Sequence, residues 1–163
     1  MNILIYIHID GVSRGNPGAS GIGISIHQKN KMVLIHGEYV GILTNIESEY
    51  IALKRALEIG LKFDNKNITI FSDCLQVVRE RKSKTRLRKK ELRILMRQII
   101  NLENKFQNIA YMFIPREKNF FVDKVANDAV NDYFNTHEII KYTGSSEESE
   151  LILNNRDVRK AFD

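Results

Sequence analysis

The chain has 163 residues, of which 43% are hydrophobic and 28% charged, with a formal net charge of +5 and a single cysteine. That length suits one well-formed core rather than two, and the composition is that of a globular domain, not a disordered or fibrous chain. A lone Cys74 excludes a disulfide framework or a cysteine-based zinc site. No apolar run nears the ~18 residues of a membrane span and no signal-peptide pattern opens the chain, so the expected setting is the reducing cytoplasm.

Asn2 to Asp10 is almost continuously apolar and predicts a central strand covered on both faces, with Asp10 at its end. Gly11 to Gly18, rich in glycine and proline, reads as a turn. Ser20 to Gln28 alternates Ile22, Ile24 and Ile26 with small or polar residues, the pattern of a half-buried strand. Asn30-Lys31 then leads into a third strand over Met32 to Val40. Thr44 or Asn45 caps a helix to about Leu61. Asn67 to Phe71 is a short strand ending at Ser72-Asp73. Helices follow at about Cys74 to Arg81 and Lys89 to Asn104, then a last strand over Asn108 to Ile114 and a helix over Phe121 to Tyr133.

The order β-β-β-α-β-α-α-β-α predicts an α/β fold, a mixed sheet with helices packed on it. Residues 1–137 form the expected domain. The remainder, 138–163, is a polar tail for which docking, partner binding and mobility all stay open.

The positive charge is local. Residues 79–93 hold nine basic side chains (Arg79, Arg81, Lys82, Lys84, Arg86, Arg88, Lys89, Lys90, Arg93) against Glu80 and Glu91. Such a patch is the footprint of a polyanion binder or a solvated helix face.

Four acids sit in distinctive phrases: Asp10 in Ile-Asp-Gly-Val-Ser-Arg-Gly-Asn-Pro-Gly, Glu49 in Thr-Asn-Ile-Glu-Ser-Glu-Tyr, Asp73 in Phe-Ser-Asp-Cys, and Asp123 in Phe-Val-Asp-Lys-Val-Ala-Asn. Asp10 and Asp73 cap apolar strands, where an ionised carboxylate is costly unless something positive meets it. If those strands are parallel neighbours, both acids emerge at the same carboxyl edge. Glu49 and Asp123 lie early in helices, where the helix dipole alone can explain an acid. Carboxylates that converge without matching basic residues call for a hard divalent cation, Mg²⁺ or Mn²⁺. His8, two residues before Asp10, is either a core histidine or a further ligand. Glu47 competes with Glu49 for the helix position.

Asp10-Gly11 through Gly15-Asn16-Pro17-Gly18, Thr44-Asn45 with Glu49 five residues after Thr44, Ser72-Asp73, and Pro115-Arg116-Glu117 ahead of Asp123 and Ala126-Asn127 together resemble the type 1 ribonuclease H family. The resemblance covers residues 1 to about 135. It implies a ribonuclease H-like fold, with a five-stranded mixed sheet (three antiparallel strands first, then two parallel) flanked by helices. It further implies an endoribonuclease: hydrolysis of the RNA strand of an RNA/DNA hybrid, leaving 5′-phosphate and 3′-hydroxyl ends, by two Mg²⁺ ions ~3.5–4 Å apart with Mn²⁺ as a substitute.

By the same resemblance Asp10 bridges both ions, Asp123 joins the ion holding the attacking water, and Glu49 and Asp73 hold the ion beside the leaving oxygen. Asn16 and Asn45 are implied minor-groove contacts, and Thr44 a DNA-phosphate contact. Arg14, Lys84, Arg86, Arg88 and Lys89 are further expected phosphate contacts. The expected partner is a hybrid, with double-stranded RNA left open, and the expected state is a monomer. A binding module without turnover, or another nuclease on this fold, are the rival readings.

Three departures stand out. The interval that carries a long basic protrusion in some relatives is short here, the loop 116–119 lacks the histidine many relatives have, and Ile46 replaces a frequent polar groove contact.

Overall fold

The computed structural model describes residues 4–64, 66–84 and 89–134. Arg86, Arg88 and the tail 138–163 lie outside the described residues. The elements are β1 (Ile5–Gly15), β2 (Gly18–Gln28), β3 (Lys31–Leu43), α1 (Asn45–Gly60), β4 (Asn67–Ser72), α2 (Leu75–Ser83), α3 (Lys90–Glu103), β5 (Asn108–Phe113) and α4 (Phe120–Phe134). They form a five-stranded sheet in the order β3-β2-β1-β4-β5. The pairs β1–β2 and β2–β3 are antiparallel, and β1–β4 and β4–β5 parallel. No helix among the described residues is long and apolar enough to cross a membrane.

Two expectations need correction. Asp10 does not end β1: the strand runs on to Gly15, and the expected turn over 11–18 shrinks to Asn16-Pro17, joined by a cis peptide bond. Continued pairing with β2, from Asp10↔Gly23 to Gly15↔Gly18, keeps this glycine-containing stretch extended. Strand β2 is also not half-buried. Ile22, Ile24 and Ile26 are fully buried, and so are the small residues between them, Gly21, Gly23 and Ser25. Small size there marks a closely packed helix rather than a solvent face.

That packing is read from the glycines. A Cβ on Gly23 would lie 2.1 Å from the Val122 carbonyl oxygen, so α4 rests directly on β2. On the other face, a Cβ on Gly11 would lie 2.4 Å from the backbone of Ser48 and 2.5 Å from the Glu49 nitrogen. Helix α1 is thus pressed against β1 at the residue after Asp10. Ile5, Ile7, Ile9, Ile22, Ile24, Ile26, Tyr50, Leu53 and Leu57 belong to the buried core. Each large aliphatic side chain buried there stabilises the fold by about 1.5–3 kcal/mol.

Polar ties fix α1 further. Thr44 caps it through a capping box: its Oγ1 accepts the Glu47 N–H, and Glu47 accepts the Thr44 N–H at 2.7 Å. Arg55 on α1 donates to both oxygens of the buried Glu38 on β3, each at 3.0 Å. Burial alone would raise the Glu38 pKa, but the hydrogen bonds from His36 and Arg55 hold it down at about 2.

Gly23→Ala is expected to lower unfolding free energy by about 1–3 kcal/mol or more, because a backbone carbonyl must move. Gly11→Ala should do the same and also displace the start of α1. Urea denaturation checks both, and a change below about 0.5 kcal/mol would contradict the close packing.

Candidate active site

The parallel register of β1 with β4 stops at His8↔Phe71, although β1 itself continues to Gly15. Asp10 therefore lies just beyond the paired region, where the chain leaves β4 through Ser72-Asp73. Helix α1 brings Glu49 in over Gly11. Ligand atoms of Asp10, Glu49 and Asp73 all lie within 4.8 Å of one another. Asp10 and Glu49 are buried, 4% and 5% exposed, and Asp73 is half-buried. Asp123, on the first turn of α4, stands outside this tight trio, but its carboxyl is near enough to raise the Asp10 pKa.

Electrostatics follow from that crowding. Burial, then the Asp73 charge and the neighbouring Asp123 carboxyl, push the Asp10 pKa up to about 8. Glu49 is raised by burial and by the charges of Asp10 and Asp73. Asp73 is raised by burial, against an opposing pull from the Arg116 charge. Glu49 Oε2 is buried and lacks a hydrogen-bond partner among the described residues. An all-oxygen donor set, mutual repulsion and an orphaned buried carboxylate oxygen together fit a hard divalent cation.

A basic side chain does come near the acids. Arg116 Nη2 lies 3.8 Å from Asp123 Oδ1, on a side chain 83% exposed. Its signal was present in the Pro115-Arg116-Glu117 phrase, but spacing alone did not show that a one-turn helix over 116–118 would aim it at the acids. Asn119 was missed as well. It is 2% exposed and donates to the Ile9 carbonyl at 2.9 Å. The pointer was its place four residues before Asp123.

His8 resolves toward an aromatic environment. Its ring stacks on Phe71 at 4.8 Å and meets His27 edge-on at 5.2 Å, and it is not part of the acidic trio. Burial pushes its pKa down. Glu47 is engaged in the helix cap. Burial, then the Glu49 charge, raise the Cys74 thiol to about 11, which keeps it protonated and unreactive at neutral pH.

Of the expected nucleic-acid contacts, Asn16 and Asn45 meet directly: the Asn45 N–H donates to Asn16 Oδ1 at 3.0 Å, and both residues are exposed. The Thr44 hydroxyl is already committed to Glu47, at 2.8 Å as donor. Arg14 Nη2 donates to the Asn127 carbonyl at 3.2 Å, tying the β1–β2 turn to α4. Lys84 and Lys89 are exposed at the ends of α2 and α3. Arg81 leaves the predicted basic patch: it is 5% exposed and gripped by Glu103 at 2.9 and 2.5 Å. Ile46 packs against the core, which explains an apolar side chain there.

The chain is similar to ribonuclease HI of Halobacterium salinarum, 29% identical over 129 residues, 78% of this chain and 65% of that protein. It is also 29% identical over 129 residues to a bifunctional protein of Mycobacterium tuberculosis, covering 78% of this chain and 35% of that protein. The family described as reverse transcriptase-like matches residues 8–129. The chain belongs to that family, on its type 1 ribonuclease H branch.

Among solved structures, the H. salinarum RNase H1 superposes with a TM-score of 0.75 at 28% identity, over 79% of this chain and 98% of that one. LC11-RNase H1 in complex with an RNA/DNA hybrid gives 0.74 at 30%, over 80% and 99%. The chain spans about a third of the length of the first curated relatives it matches, 35%.

A carboxyl whose folded-state pKa lies above its unfolded value stabilises the fold fully below the unfolded pKa, and that contribution is lost as pH rises through the folded one. For Asp10 the window runs from its ordinary value of 3.8 up to about 8. In chelator, the melting temperature is therefore expected to fall across that range, and Asp10→Asn should flatten the decline. Saturating Mg²⁺ should raise it more at the alkaline end than at the acid end. Thermal scans against pH, with and without Mg²⁺, check this; a Mg²⁺ effect unchanged in Asp10→Asn would contradict it.

Proposed function

We propose that the protein is an endoribonuclease that hydrolyses the RNA strand of RNA/DNA hybrids. The observation that carries the reading is the gathering of Asp10, Glu49 and Asp73 within 4.8 Å at the rim of the sheet. Support comes from the exposed Asn16–Asn45 pair, one helical turn before Glu49, and from relatives named as ribonucleases H, one of them solved with a hybrid.

In this reading Asp10, Glu49, Asp73 and Asp123 would together hold two Mg²⁺ or Mn²⁺ ions. Bound there, the ions would supply Lewis acidity for attack by water and departure of the 3′-oxygen, and the products would carry 5′-phosphate and 3′-hydroxyl ends. Close packing of β1, α1 and α4 fixes the carboxylates before substrate arrives, so little reorganisation is needed during the reaction. The exposed Asn16 and Asn45 face the minor groove, where 2′-hydroxyls distinguish RNA from DNA. Thr44 is a weaker candidate for a phosphate contact, since its hydroxyl proton already serves the Glu47 carboxylate. Lys84, Arg86, Arg88 and Lys89 are the proposed phosphate contacts along the strand, with Arg14 at the turn. The protein acts as a cytoplasmic monomer.

Cleavage of labelled hybrid, RNA duplex and DNA duplex in Mg²⁺ tests the assignment. Hybrid is expected to be cut and DNA duplex left intact. Asp73→Asn should reduce hybrid cleavage by on the order of 10³-fold or more, as loss of a central catalytic group does. Cutting of the DNA duplex at a matching rate would favour another nuclease of this fold, and binding without cleavage would favour a module lacking turnover. Lys84→Ala and Lys89→Ala should each weaken hybrid binding and lower the slope of log K against log salt by about 1. A titration at several salt concentrations reads that slope; an unchanged value would remove the residue from the phosphate contacts.

A further inference from the structure

Asn119 is nearly inaccessible, 2% exposed, yet carries a carboxamide. Its Nδ2 donates to the Ile9 carbonyl, the peptide leading into Asp10, at 2.9 Å. The same side chain faces the carboxyl of Asp73 and favours its ionised form. Its backbone carbonyl accepts the Asp123 N–H at 3.3 Å. A single residue thus touches the segments that carry three of the four acids. Both groups facing the amide are acceptors, so Nδ2 must point toward them; the flipped amide would set oxygen against oxygen. That orientation leaves Oδ1 buried and without a partner among the described residues. Buried polar atoms are rarely left unpaired, and an apolar filler of equal size would avoid the penalty.

We propose that Asn119 is the positioning residue of the acidic centre: its carboxamide holds β1 at Ile9 and faces Asp73, which sets the spacing of the carboxylates that would hold a divalent cation. The proposal rests on the metal-dependent reading above. Asn119 acts through Asp10 and Asp73 rather than on the substrate. Because it reaches both from the loop before α4, it also couples the seating of that helix, and hence of Asp123, to the spacing of the other carboxylates.

The test uses the full chain with Asn119→Leu, which matches the shape but removes the donor, and Asn119→Ala. Two readouts are taken: the Mg²⁺ concentration that gives half of the thermal stabilisation without substrate, and kcat and KM for hybrid cleavage. The expected result for Asn119→Leu is a folded protein whose Mg²⁺ midpoint rises about ten- to a hundredfold, as when the partner of a metal ligand is removed. The turnover number should fall while KM for the hybrid stays within about twofold, the split expected when geometry rather than binding is disturbed.

A folded Asn119→Leu with the wild-type Mg²⁺ midpoint and kcat would overturn the proposal and leave Asn119 as packing. Loss of folding in both variants would also overturn it, since the residue would then serve the fold itself. If the wild type shows Mg²⁺-dependent stabilisation that Asn119→Leu loses, but cuts no hybrid, the positioning role stands and the ribonuclease reading falls.

Discussion

Carboxylates held within 4.8 Å of one another repel, and the fold must keep them there through backbone that cannot relax apart. Two contacts supply that rigidity. Helix α1 lies against β1 at Gly11 with no room for a side chain, which brings Glu49 to Asp10. Helix α4 lies against β2 at Gly23, directly across from Asp10 in the strand register, which carries Asp123 to the same rim. Buried isoleucines on β1 and β2 anchor the sheet between these helices.

Polar interactions complete the frame at some distance from the acids. The bidentate Arg55–Glu38 pair ties α1 to β3, and the Thr44–Glu47 capping box fixes where α1 begins. Arg81 and Glu103 join α2 to α3, with Tyr111 of β5 donating to the same glutamate at 2.5 Å. A buried pair of this kind is expensive to break, because the remaining charge would lie in a low-dielectric interior. The helices that border the basic stretch are thus held by a cation that the stretch itself appeared to offer to solvent.

The centre combines opposed electrical demands. Its acids resist ionisation together, and a polyanion approaching them meets like charge. A divalent cation answers both demands, neutralising the cluster and presenting positive charge to phosphate. Arg116 supplies a lesser, exposed cation at 3.8 Å from Asp123. Lys84 and Lys89 add positive charge at the ends of α2 and α3, beyond the acidic trio.

Element order and the phrases that carry Asp10, Glu49, Asp73 and Asp123 were legible in the chain, because strand and helix periodicities and turn residues are local properties. The capping box was equally local, and it separates Glu47 from Glu49. Tertiary structure alone decided what Gly11 and Gly23 do: as sequence they suggest a turn and a solvent-facing alternation, and only a helix pressed on each face gives them their role. It also decided that Arg81 is buried, that Arg116 reaches Asp123, and that Asn119 ties the Ile9 carbonyl to the start of α4. Those are contacts between residues distant in the chain, set by how layers stack, and no periodicity records which side chains the stacking brings together.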